Sequence, residues 1–167
     1  ITGFIGGLIV AIVTIYKKTW APITVPLYAM FEGLLLGSIS YMYGQMYEGI
    51  VLNAIILTVS ILISLLFVYK SGLIKVTENF KLGVAAATGG IALVYLFSIF
   101  GSFFGINISF LDSTNGSLMS IGISLFIVII ASLNLVMDFD FIEEGADRGA
   151  PKYMEWYGAF RLLVTLV

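Results

Sequence analysis

Among its 167 residues this chain has no cysteine, no histidine, three prolines and only 11% charged residues. Without cysteine there is no disulfide framework and no thiolate metal site. Without histidine the commonest general base and transition-metal ligand is missing, which removes most hydrolytic and redox mechanisms. The formal net charge of −2 is too small to point to a nucleic-acid partner.

Apolar residues take the place of charge. They make up 60% of the chain, with a mean hydropathy of +1.08, more apolar surface than a water-soluble domain of this length can hide. A hydrocarbon core of about 30 Å takes about 20 helical residues to cross. Six apolar runs lie between charged punctuation, at 1–16, 23–43, 49–69, 82–103, 116–137 and 153–167. None alternates apolar and polar residues as an outer-membrane strand does. The prediction is an all-α integral membrane protein, a polytopic helical bundle with residues 1–167 as one transmembrane domain. The chain opens without Met and without the basic segment of a signal peptide, so it is expected to be part of something longer, its first and last spans cut short.

Short cytoplasmic loops accumulate Lys and Arg. Lys17 and Lys18 follow the first run, Lys70, Lys75 and Lys81 the third, Arg148 and Lys152 the fifth; the connections after the second and fourth have none. Seven of the eight basic residues thus fall on one side, which places the 138–152 segment, expected as a loop, in the cytoplasm. Residues 104–115 read as the longest loop on the other side. Small residues in Gly33-Leu-Leu-Leu-Gly37 and Gly83-Val-Ala-Ala-Ala-Thr-Gly-Gly90 are expected to let helices approach closely.

The fifth run ends abruptly in Val136-Met-Asp-Phe-Asp-Phe-Ile-Glu-Glu-Gly145. Hydrocarbon does not tolerate unpaired charge, so acids at the lip of a span are candidates for ion or proton handling. Asp138 and Asp140 stand about 200° apart on a helix and cannot both face inward; Asp138, which closes the apolar run, is the better inward candidate. Glu32 lies ten residues past Pro22, about 15 Å deep, where a carboxylate is either protonated or paired. Arg161 lies nine residues past Lys152, about 13 Å deep, and a Glu32–Arg161 contact is expected from the matching depths. Glu155 enters the last run near the level of Asp138, and two carboxylates sharing a proton there would form a pH sensor. Oxygen-only donors suit calcium, and Asp138 with Glu155 is the expected place for it.

Glu143-Glu-Gly-Ala-Asp-Arg148 matches the Glu-Glu-x-x-x-Arg pattern of intramembrane CAAX-type proteases, but that chemistry needs histidines and there are none. With no nucleophile paired to a base, no enzyme is expected.

Pro26-Leu-Tyr-Ala-Met-Phe-Glu-Gly-Leu-Leu-Leu-Gly37, Ala85-Ala-Ala-Thr-Gly-Gly-Ile-Ala92, and above all Leu133-Asn-Leu-Val-Met-Asp-Phe-Asp-Phe-Ile-Glu-Glu-Gly145 with Gly149-Ala-Pro-Lys-Tyr-Met-Glu-Trp-Tyr157 resemble the bacterial YccA-type branch of the Bax inhibitor (transmembrane Bax inhibitor motif) family. The resemblance implies a seven-helix bundle, six spans of it visible here, in the bacterial inner membrane. It also implies a pH-sensitive calcium or cation leak, gated by a pair of acids on the last two helices. Asp138 matches the sixth-helix acid, with Asp140 beside it; the seventh-helix acid has no counterpart in Arg161-Leu-Leu-Val-Thr-Leu-Val167, leaving Glu155 and Glu32 as substitutes. The alternative is a non-conducting regulator that binds a protease or other quality-control partner. Between Glu32 and the far side only Ser38, Ser40, Asn53, Thr58 and Ser60 offer a polar lining.

Overall fold

The computed structural model describes residues 2–104 and 118–167. Among these the regular structure is helical: α1 (Thr2–Tyr16), a single 3-10 turn (Lys18–Trp20), α2 (Ala21–Met46), α3 (Ile50–Lys70), α4 (Glu78–Phe103), α5 (Leu118–Asp147) and α6 (Tyr153–Leu166). The spans from Lys18 to Met46, Ile50 to Lys70, Glu78 to Ser102 and Leu118 to Asp147 are long and apolar enough to cross a membrane; α1 and α6 are shorter. Except for Phe104, the expected loop over 104–115 lies outside the described residues, as do the first residues of the 116–137 run.

Several helix boundaries have a local cause. Pro22 stands in the first turn of α2, where its missing N–H has no intrahelical partner to lose. Gly49 precedes α3 at φ 79°, a left-handed conformation that costs glycine little. The Thr77 hydroxyl caps α4 by accepting from the Phe80 backbone N–H at 3.2 Å. Gly149, at φ 63°, turns the chain out of α5 toward α6.

α5 departs from the expected loop over 138–152. It runs straight on through Asp138, Asp140, Glu143 and Glu144 to Asp147, leaving a short connection before α6. At about 1.5 Å per residue a 30-residue helix is about 45 Å long, so the acidic end projects beyond the hydrocarbon. The acids do not break the helix because most of them find partners on neighbouring helices.

α5 packs against α3, α4 and α6, while α6 lies between α5 and α2, and α1 packs on α2. The enclosed core is small. Ala21, Val25 and Tyr28 of α2 meet Phe160 of α6, with Val10 and Ala11 of α1 beside them. α1 comes closest to α2 through Gly3, Gly6 and Gly7: a Cβ on Gly6 would lie 2.7 Å from the Phe31 ring, and one on Gly3 would lie 3.0 Å from the Phe31 carbonyl. The expected packing glycines, Gly33, Gly37, Gly83, Gly89 and Gly90, face open space, with nothing within 4 Å of where a Cβ would stand. Close approach falls instead at Gly3, Gly6 and Gly7 of α1 and at Gly158 of α6. The Thr14 and Thr24 hydroxyls add a buried hydrogen bond of 2.8 Å between α1 and α2. Elsewhere the helices keep long apolar faces exposed, as a bilayer requires.

Candidate functional site: the acidic end of α5

Successive acids on α5 point to different neighbours because each residue turns the helix by about 100°. Asp138 faces α6: its Oδ1 is 2.9 Å from the Arg161 guanidinium, and its Oδ2 accepts a hydrogen bond from the Thr165 hydroxyl at 2.5 Å. Arg161 and Thr165 are one turn apart on α6 and so share a face. The Asp138 side chain is only 5% exposed, which makes this the most enclosed ion pair among the described residues. Asp140 faces the other way and pairs with Lys81 of α4 at 2.9 Å. Glu143 accepts a hydrogen bond from the Tyr69 hydroxyl of α3. Glu144 pairs with Arg148 one turn on, at the exposed surface.

A chain of aromatic rings leads from the Asp138 pair to α2. The Arg161 guanidinium lies over Phe141 at 4.3 Å, a placement that stabilises a partly desolvated cation. Phe141 meets Tyr157 edge-on at 6.0 Å, Tyr157 touches Phe160, and Phe160 meets Tyr28 of α2 at 5.1 Å. Lys18, in the turn before α2, lies over the other side of this group, 5.0 Å from the Tyr157 ring. Where α6 meets α5, the Ile142 side chain packs onto Gly158, where a Cβ would lie 2.9 Å from it. Higher on α5, Asn134 donates to the Thr88 hydroxyl of α4 at 2.7 Å.

The structure brings Asp138 and Arg161 together and corrects the expected Glu32–Arg161 contact. α6 sits between α2 and α5, and its α2-facing position is taken by Phe160 against Tyr28. Arg161, one residue on and about 100° around the helix, is carried to α5 instead. Glu32 turns toward α1, with its Oε2 3.5 Å from a Cβ position on Gly7, and interacts with the Tyr28 hydroxyl one turn earlier. Glu155 is exposed at the α5–α6 turn, in a cleft it shares with Glu144 and Arg148. Asp138 is thus committed to Arg161 and Thr165, and Glu155 is not among its partners. Among the described residues no three acids gather closely enough to hold a metal ion. Tyr69, Lys81 and Thr165 complete the site and escaped sequence reading. Their only signal is position, at span ends or one turn from Arg161.

No buried side-chain polar atom among the described residues lacks a partner, so a proton added to Asp138 breaks an otherwise satisfied network. A family model described as Bax inhibitor 1 like matches residues 1–167. No curated protein and no solved structure matches the chain.

Proposed function

The chain belongs to the Bax inhibitor 1 like family, and we propose that it is a pH-sensitive leak channel or transporter for calcium or another cation, gated by protonation of Asp138. The family is consistent with a membrane cation channel or regulator, and the helices make the protein an integral membrane protein. Our reading extends this to the YccA-type branch and to the bacterial inner membrane, with the basic end of the bundle in the cytoplasm. The observation that carries it is the enclosed Asp138–Arg161 pair joining the last two helices. Loss of the Asp138 charge leaves Arg161 without its counter-ion at the α5–α6 contact. Arg161 then moves toward water, and the packing of α6 on α5 and α2 changes with it. Asp140, Glu155 and Glu32 are the further oxygen donors a passing cation would meet.

A second reading, a non-conducting regulator that binds a protease or other quality-control partner, draws on a different observation. The Ser38 and Thr58 hydroxyls bond back to the carbonyls of Leu34 and Ala54 in their own helices and stay exposed, which leaves the far half with a thin polar lining. Calcium entry into proteoliposomes at pH 6 and pH 7.5 separates the two. Flux that rises at the lower pH in the wild type, and is high at both values in Asp138→Asn, supports the gated leak. No cation flux in any form at either pH supports the regulator.

A further inference from the structure

A cavity of about 940 Å³ opens between α3, the α3–α4 connection, α5 and α6, within the range of roughly 300–1,000 Å³ typical of ligand sites. Its walls are graded. Leu62, Ile63 and Leu66 of α3 and Leu162 of α6 line it on one side, and Lys70 and Lys75 stand at its other end. From Leu62 to Lys70 is eight residues, about 12 Å along the helix axis. Lys70 is the last residue of a span, so the basic end lies at headgroup level and the apolar end at the depth of acyl chains.

Charge decides the occupant. Asp140 and Glu143 also reach this cavity, but Asp140 is paired with Lys81 and Glu143 holds the Tyr69 hydroxyl. Lys70 and Lys75 are exposed, and among the described residues neither takes part in an ion pair. Glu143 keeps its negative charge while it accepts that hydrogen bond, so with Asp140 offset by Lys81 the mouth holds two lysines against one carboxylate, a net positive charge that suits an anion. We infer that this cavity binds one anionic phospholipid, its phosphate between Lys70 and Lys75 and an acyl chain along Leu62, Ile63 and Leu66. Juxtamembrane lysines attract anionic lipid, and the apolar wall supplies the rest of the selection by taking the tail. The site borders the Tyr69–Glu143 contact, so a bound lipid would brace α3 against α5.

The test is native mass spectrometry of the full chain in detergent, titrated with phosphatidylglycerol or with phosphatidylcholine of the same acyl chains. Phosphatidylglycerol is expected to stay bound at several-fold higher occupancy. Lys70→Gln with Lys75→Gln should bring it down to the phosphatidylcholine level, whereas Lys17→Gln with Lys18→Gln, the same loss of charge elsewhere, should leave it unchanged. Ala146→Phe, which narrows the cavity from exposed α5 surface, should lower occupancy with no change in charge. Glycerophosphoglycerol, the headgroup without tails, should not compete. Equal retention of the two lipids, wild-type retention in the Lys70/Lys75 double variant, or competition by the bare headgroup would each overturn the inference, the last by showing a simple anion site.

Discussion

α3 and the end of α5 are both regular helix, and they are held by opposite means. α3 buries none of its residues; it is mainly aliphatic, and before Tyr69 none of its side chains makes a hydrogen bond to another helix among the described residues. From Asp138 onward α5 is rich in acids, and these reach Arg161 and Thr165 on α6, Lys81 on α4 and Tyr69 on α3. Lipid tails are as apolar as leucine, so aliphatic surface in a bilayer does little to choose a neighbouring helix. Directional polar contacts do choose. The bundle is therefore fastened at its charged end and left free to adapt along its apolar length.

The strongest way to break this contrast is to remove Arg161. Arg161→Met leaves Asp138 enclosed without its counter-ion and should lower stability by about 3–5 kcal/mol, read from unfolding in detergent. Adding Asp138→Leu to the same chain should restore most of the loss, because a well-packed apolar pair replaces a buried ion pair at little net cost. Failure of the double variant to recover would mean that the pair does more than neutralise itself.

Glycine positions sharpen the comparison next. Gly6→Val drives a side chain into the Phe31 ring and should cost about 1–3 kcal/mol. Gly37→Ala meets nothing within 4 Å and should be neutral or stabilising by up to about 1 kcal/mol. Thermal unfolding of both in the same detergent gives the ranking; equal losses would show that α1 does not sit closely on α2.

Smaller effects belong to the rim. Tyr69→Phe removes one hydrogen bond to Glu143 and should cost about 1 kcal/mol, seen as faster amide exchange at the end of α3. Arg148→Gln removes an exposed pair within one helix and should cost about 0.3–0.5 kcal/mol. If Arg148→Gln proved as damaging as Arg161→Met, burial would not be what ranks these pairs.

Much of this was legible in the sequence. The apolar runs marked all six helices, and the basic residues identified the end where the chain is fastened. The angle of about 200° between Asp138 and Asp140 already implied that they serve different neighbours, as they do with Arg161 and Lys81. What could not be read is which distant residue completes each pair. Depth alone matches Arg161 to Glu32, but depth says nothing of azimuth, and Phe160 takes the α2 side. The charges after Met137 looked like the start of a loop because their partners, Tyr69, Lys81 and Arg161, are remote in sequence. The glycines of α2 and α4 differ from expectation for a similar reason. Spacing shows that a helix has a small-residue stripe, and only the neighbouring side chain, here Phe31, shows whether the stripe is used.

The absence of cysteine allows the Asp138 tether to be tested directly, since spin labels can be placed on a pair of introduced cysteines without background. Ile129 of α5 and Val164 of α6 are both exposed, and the distance between labels there can be measured by electron paramagnetic resonance in nanodiscs at pH 7.5 and pH 6. A narrow distribution in the wild type that is lengthened or broadened in Asp138→Asn under the same conditions is the predicted result. An Asp138→Asn distribution identical to the wild type's at both pH values would contradict the tether.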